Sequence, residues 1–167
     1  MALRSSILLL VPEAEPLVGQ LRYAHDPAAF AGIGAHITLL FPFMPAPQID
    51  DRTIARIGAQ LGRGPLELVF DRVARFPGLA YLALEEPAHV IARIQALAAA
   101  WPEYPLYEGK FPTITPHLTV AHGDDQVLAD VEAELGPQLP FATTLRHAQL
   151  FVEDEANVWH ERASFVL

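Results

Sequence analysis

His36-Ile37-Thr38-Leu39 recurs later in the chain as His117-Leu118-Thr119-Val120, and both copies consist of histidine, an aliphatic residue, threonine and a second aliphatic residue. The β-branched and aromatic residues around each copy predict that both lie in strands. Because side chains of a strand alternate between its two faces, the histidine and the threonine of each copy share one face. The aliphatic residues pack on the other face. Each copy therefore presents an imidazole and a hydroxyl together.

The predicted elements on either side of the two copies repeat in the same order. The first half predicts alternating strands and helices, beginning with a strand, at 5–11, 15–30, 35–43, 50–61 and 66–76. The second half predicts the same alternation, followed by one more strand, at 79–84, 88–101, 116–122, 125–135, 141–152 and 158–166. This order predicts a single α+β domain with two internal repeats, roughly 1–77 and 78–167. We expect two mainly antiparallel sheets, helices outside, and a central cleft with pseudo-two-fold symmetry.

Composition limits the classes of partner and chemistry. The 167 residues are 51% hydrophobic and 19% charged, which excludes intrinsic disorder. The absence of cysteine excludes disulfides, thiolate zinc sites and cysteine nucleophiles. A formal net charge of −9 opposes binding of duplex DNA or RNA, which relies on many contacts from Lys and Arg to phosphate. We expect a cytoplasmic monomer without a membrane segment, and the charge leaves open the local binding of a small phosphate ester or a nucleic-acid end.

Two imidazoles and two hydroxyls in one cleft suit a tetrahedral phosphate. Hydroxyls and a protonated imidazole can donate hydrogen bonds to its non-bridging oxygens. A neutral imidazole can accept the proton of the attacking oxygen while a protonated one donates to the leaving oxygen. Imidazole performs both tasks near neutral pH because its unperturbed pKa is about 6.5. This chemistry needs no metal or other cofactor, and no histidine pair in the sequence has the spacing of a metal site.

The sequence resembles the two-histidine (2H) phosphoesterase superfamily, most closely its bacterial 2′-5′ RNA ligase-like branch, over nearly the whole chain. The two motifs carry the resemblance, with support from 35–43, 79–86 and 104–120. The resemblance implies that His36 and His117 are the acid and the base, and that Thr38 and Thr119 bind phosphate. It also implies an enzyme that opens 2′,3′-cyclic phosphates, or that joins or cleaves 2′-5′ linkages in RNA.

Further residues are candidates for contact with the substrate. Tyr81 lies on a predicted central strand, Phe43 follows the first motif, and Lys110 lies in the proline-rich and aromatic loop 101–116. His122 is the basic residue closest after either motif, and strand alternation predicts that it faces away from His117. Arginines in the predicted strands are candidates for a basic track to the cleft, namely Arg72, Arg75 and Arg146.

Three functions remain open at the level of sequence. The first is a metal-independent phosphodiesterase that acts on 2′,3′-cyclic phosphates or related phosphodiesters of nucleotides and RNA ends. The second is RNA 2′-5′ ligation or its reversal on longer RNA, which requires a basic track. The third is a binding module that senses a phosphorylated nucleotide without turning it over.

Overall fold

Eight strands form one antiparallel sheet in the computed structural model, which describes residues 3–167. The strands are β1 (Ser5–Leu10), β2 (His36–Leu40), β3 (Leu66–Phe76), β4 (Leu79–Leu84), β5 (His117–His122), β6 (Phe141–Leu145), β7 (His147–Glu153) and β8 (Trp159–Val166). Their order in the sheet is β6-β3-β4-β5-β2-β1-β7-β8. The predicted α+β class is therefore confirmed, with the two motifs on the adjacent central strands β2 and β5.

In the described part of the chain, five α-helices accompany the sheet: α1 (Glu15–His25), α2 (Pro27–Phe30), α3 (Asp51–Leu61), α4 (Ala88–Ala100) and α5 (Asp125–Leu135). The helix predicted over 15–30 is divided at Asp26, whose extended backbone caps α2 through a bond from the Ala28 amide. Pro27 explains the division, because a proline disfavours helical geometry in the residue before it. None of the helices within residues 3–167 is long and apolar enough to cross a membrane.

One face of the sheet holds the main core. Ile37 of β2 and Leu118 of β5 are both fully buried there, together with residues from α1, α3, α4 and α5. The other face holds the histidines and threonines of the two motifs, and a smaller apolar cluster formed by Leu8, Ile33, Phe151 and Trp159. The predicted division of each motif between a chemical face and a packing face is thus the arrangement that the structure adopts.

The sheet curls so that strands far apart in its order come together. Arg146 alone separates β6 at one edge from β7 near the other edge. Because consecutive Cα atoms are only about 3.8 Å apart, this link requires the two strands to lie close in space. The single strand predicted over 141–152 is therefore wrong, since β6 pairs with β3 whereas β7 pairs with β1 and β8.

The structure contains one sheet where we expected two. Pairing of Ile37 with Leu118 joins the four strands β6-β3-β4-β5 to the four strands β2-β1-β7-β8. The strand order groups β3, which belongs to the first predicted repeat, with β4 and β5 of the second. The division into repeats 1–77 and 78–167 stays a prediction, and the β2–β5 seam is where the two motifs meet.

Candidate active site

The pairing of β2 with β5 brings the two motifs together. Ile37 pairs with Leu118 in antiparallel fashion, so His36 lies opposite Thr119 and Thr38 lies opposite His117. Directly opposed Cβ atoms are about 4.5–5.5 Å apart, and diagonal neighbours such as the two histidines are about 7–8 Å apart. All four side chains share the face opposite the main core. The structure therefore gathers the predicted imidazoles and hydroxyls into one patch.

Both histidine rings are oriented in the same way by the backbone two residues earlier. The Nδ1 atom of His36 lies 2.8 Å from the carbonyl oxygen of Gly34. The Nδ1 atom of His117 lies 2.8 Å from the carbonyl oxygen of Thr115. A carbonyl only accepts hydrogen bonds, so Nδ1 is the protonated nitrogen in each neutral ring. This leaves Nε2 of each ring as the atom that accepts or donates a proton.

The surroundings favour neutral rings. Burial lowers the pKa of His36 from 6.5 to about 4, and the bond to Gly34 opposes only part of that change. Burial likewise lowers the pKa of His117, again opposed by its carbonyl partner. The charge of His117 also lowers the pKa of His36, because two protonated rings in one cleft repel each other. The patch therefore holds one proton more readily than two.

A β-bulge follows the threonine in both strands. Pairing of β1 with β2 skips Leu39, and pairing of β4 with β5 skips Val120. An extra residue in one strand reverses the face on which the following residues lie. His122 therefore shares a face with Thr119, and the prediction that it faces away from His117 is wrong. Phe41 follows the first bulge in the same way and packs against the smaller apolar cluster.

The end of the patch near His36 is charged. His122 Nε2 lies 3.9 Å from Asp26 Oδ1. Asp26 is almost fully buried and accepts a 3.0 Å hydrogen bond from Nε of Arg22, which is equally buried. Arg22 also donates to the carbonyl of Ile33. The charges of Arg22 and Asp26 act on the pKa of His36 in opposite directions, so this ion pair is part of that ring's electrostatic surroundings.

The end of the patch near His117 is aromatic. The ring centroid of His117 lies 5.2 Å from that of Phe76, 5.4 Å from that of Tyr81 and 6.2 Å from that of Tyr107. Tyr81 is buried, stacks on Phe76 and pairs across the sheet with Thr119. The structure therefore places this predicted lining residue beside the patch.

Tyr107 is a site residue that the sequence pattern did not single out. Its amide donates a 2.6 Å hydrogen bond to the Phe41 carbonyl, which ties the loop to the end of β2. Burial raises the pKa of its phenol, and interaction with the Thr38 hydroxyl opposes part of that rise. Tyr107 and Glu108 both have left-handed backbones, with φ of 50° and 57°. Such geometry is costly for residues other than glycine and is often found at functional sites.

Other predicted residues lie outside the patch. Phe43 is buried in the main core against Trp101 and Tyr104, because the bulge at Leu39 and the turn after β2 carry it away. Lys110 is exposed on its loop and forms an ion pair with Glu108. No group of three or more His, Cys, Asp or Glu side chains within residues 3–167 is placed to hold a metal ion.

Of the three arginines considered for a basic track, one faces the patch. Arg72 pairs with Ala83, which pairs in turn with His117, so all three share a face. Arg75 instead binds Glu132 of α5. Arg146 lies between β6 and β7. Among these three arginines, the structure therefore places only Arg72 on the face of the patch, and they form no continuous track.

Comparisons with known proteins agree with this arrangement. The family model described as the 2′-5′ RNA ligase superfamily matches residues 10–157. The crystal structure of Escherichia coli LigT complexed with 3′-AMP is similar, with a TM-score of 0.64 and 15% identity, covering 99% of this chain and 98% of that one. The crystal structure of TT0787 of Thermus thermophilus is similar too, with a TM-score of 0.62 and 16% identity, covering 98% and 97%. No curated protein sequence matches the chain.

Proposed function

Since the chain belongs to the 2′-5′ RNA ligase superfamily, a family of 2H phosphoesterases, we propose that it is a metal-independent phosphodiesterase. Its substrates are 2′,3′-cyclic phosphates or related phosphodiesters of nucleotides and RNA ends. His36 and His117 share the roles of general base and general acid, and Thr38 and Thr119 bind the phosphate. Tyr81 lines the substrate site, and the acidic surface restricts binding to a single nucleotide or a chain end.

The observation that carries this proposal is the pairing of Ile37 with Leu118. It supports a phosphate site because it sets an imidazole and a hydroxyl from one strand against a hydroxyl and an imidazole from the other. A tetrahedral phosphate above this patch has a threonine donor on each side. The two imidazoles lie on a diagonal, as in-line displacement requires of a base and an acid on opposite sides of phosphorus.

The reaction balances with the groups of this chain and one water molecule. Nε2 of the neutral histidine takes a proton from water as the water oxygen attacks phosphorus. Nε2 of the protonated histidine gives its proton to the ribose oxygen as the bond from that oxygen to phosphorus breaks. The product is a phosphomonoester with a free neighbouring hydroxyl, and solvent returns the two rings to their starting states. Each proton transfer contributes roughly 10²–10⁴-fold to the rate.

The ligands bound in similar structures support a nucleotide as ligand. LigT of Escherichia coli has been crystallised with 3′-AMP, with ATP and with phosphate. Its sequence identity to this chain is only 14–16% in those structures. The likeness therefore shows a shared fold, and the ligands indicate which compounds to test on this chain. A nucleotide monophosphate is the product that the proposed reaction forms, which makes 3′-AMP the most relevant of the three.

The proposal is tested by incubating the protein with adenosine 2′,3′-cyclic phosphate in the presence of EDTA and separating the products by chromatography. We expect conversion to 2′-AMP or 3′-AMP, and no conversion by a His36→Ala/His117→Ala double variant. Unchanged substrate with measurable binding would instead identify a binding module. Joining of RNA ends in a parallel incubation, without hydrolysis, would identify a ligase.

A further inference from the structure

A small cavity of about 130 Å³ is lined by neighbours of His117. Its wall includes Tyr81 and Ala83 of β4, Thr115 and Pro116 before β5, and Arg72 of β3. Thr115 is the residue whose carbonyl orients the His117 ring. The cavity therefore adjoins residues that pair with or precede His117, and it combines an aromatic surface with a positively charged group.

The cavity exists because the strand next to His117 carries a small side chain. Ala83 pairs with His117, and Arg72 pairs with Ala83 on the far side. The alanine methyl group leaves the space above β4 open between the guanidinium and the imidazole. In the other half of the patch, Leu10 pairs with His36 and fills the equivalent position. Space for the remainder of a substrate is therefore available on the His117 side.

Arg72 is exposed and free to meet a ligand, unlike the buried Arg22. Its side chain is 59% exposed, and its contact within the chain is a 2.7 Å ion pair with the adjacent residue Asp71. Exposed ion pairs of this kind contribute at most about 1 kcal/mol, so an incoming phosphate can replace the carboxylate. Arg22, by contrast, is buried in its pair with Asp26.

We propose that Arg72 binds a second phosphate of the substrate, and that the cavity next to Arg72 receives the ribose joining the two phosphates. This inference rests on the proposed function and narrows its substrate class. The preferred substrate is then a nucleotide whose cyclic phosphate and 5′-phosphate are both present, as at the 3′ end of an RNA chain. The backbones of Arg72 and His117 are two strands apart, or about 10 Å across the sheet. This separation suits side chains that bind two phosphates of one ribose.

The test is calorimetric binding of two product-like ligands, adenosine 3′-monophosphate and adenosine 3′,5′-bisphosphate. We expect the wild-type protein to bind the bisphosphate about 10–100-fold more tightly, because a hydrogen-bonded charge pair adds that much affinity. Arg72→Ala should remove this preference and leave affinity for the monophosphate unchanged. Arg75→Ala is the matched control, since it deletes the same charge from the same strand at a residue that binds α5, and it should keep the preference.

The inference is overturned if the wild-type protein has no preference, if it binds neither ligand, or if Arg72→Ala weakens both ligands equally. It is also overturned if Arg72→Ala keeps the preference. Binding is measured separately from turnover, so failure of the proposed function has a different signature. A protein that shows the expected affinities but converts no cyclic phosphate retains the Arg72 subsite and lacks the proposed activity.

Discussion

The half of the patch around His36 and the half around His117 have the same backbone arrangement, but the residues that surround them differ. Each has a histidine held by the carbonyl two residues earlier, a threonine on the same face and a bulge after that threonine. Around them, His36 has a leucine neighbour and a buried ion pair, whereas His117 has an alanine neighbour, aromatic rings and a cavity.

This contrast separates the requirements of chemistry from those of recognition. The proposed phosphoryl transfer needs matched groups on both sides of phosphorus, and the backbone features shared by the two halves are suited to supply them. A substrate is not symmetric, because one side of its phosphate carries a nucleoside and the other side receives water. The open, aromatic side at His117 suits the nucleoside, and the filled, polar side at His36 suits water. For the proposed substrate, the difference between the halves therefore predicts one direction of binding.

The largest effect should come from removing either imidazole. His36→Gln and His117→Gln should each lower kcat on adenosine 2′,3′-cyclic phosphate by about 10²–10⁴-fold, because each removes one proton transfer. His89→Gln, at an exposed position in α4, is the control and should have normal activity. Circular dichroism should show an unchanged fold. Near-normal turnover by either site variant would show that the two halves are not chemical equivalents.

The second-largest effect should come from removing the hydroxyl of either motif threonine. Thr38→Val and Thr119→Val keep the size and branching of the side chain and remove a donor to the phosphate. Loss of one such donor typically costs about 10²-fold in kcat. Steady-state kinetics should give similar losses for both, and Thr144→Val in the exposed part of β6 should be neutral. A large loss for one threonine alone would place the phosphate in one half only.

The pH profile tests the coupling between the two halves. The proposed mechanism requires one proton on the histidine pair. The acid limb of kcat/KM should fall as pH decreases through about 4, where His36 also becomes protonated. The alkaline limb should fall as pH rises through the pKa of His117, which burial places below 6.5. We therefore expect an optimum on the acid side of neutrality, and an alkaline limb above about pH 8 would contradict the protonation scheme.

A single substitution can make the His117 half resemble the His36 half. Ala83→Leu introduces the residue type that Leu10 provides beside His36 and fills the cavity. We expect kcat/KM for adenosine 2′,3′-cyclic phosphate to fall by about 10-fold, mainly through KM, since uniform binding is lost. Thermal denaturation of the variant controls for overpacking. Unchanged KM in a stable variant would show that the nucleoside lies elsewhere.

The smallest effect should come from the Tyr107 hydroxyl. Tyr107→Phe keeps the ring beside His117 and removes the group that interacts with Thr38. A neutral hydrogen bond of about 1 kcal/mol corresponds to about a 5-fold loss in kcat/KM. Tyr104→Phe is the matched control on the same loop, because Tyr104 packs against Phe43 in the core. Equal effects of the two changes would assign Tyr107 a purely structural role.

Much of this arrangement could be predicted from sequence because it depends on local periodicity. The strands of both motifs, the shared face of each histidine and threonine, and the helix over 125–135 follow from alternation and helical spacing. The convergence of the four groups needed one further premise, the duplication. That premise led to two sheets, whereas the β2–β5 pairing makes one.

The features that sequence reasoning missed depend on contacts between distant segments. Whether Leu39 and Val120 are bulged is decided by register with β1 and β4, so simple alternation placed His122 on the wrong face. The sequence did contain a sign of each bulge, since two successive aliphatic residues, both buried in the structure, follow each threonine. No sequence pattern indicated the position of Tyr107, because that position depends on a left-handed turn and on a hydrogen bond to the end of β2.

The convergence of all four side chains on one phosphate is tested most directly by a crystal structure with bound orthovanadate. We predict one vanadate above the β2–β5 seam, with oxygens about 2.7–3.2 Å from Nε2 of both histidines and from the hydroxyls of Thr38 and Thr119. A vanadate held by one motif while the imidazole of the other points away would contradict it, as would a vanadate bound at any other place on the sheet.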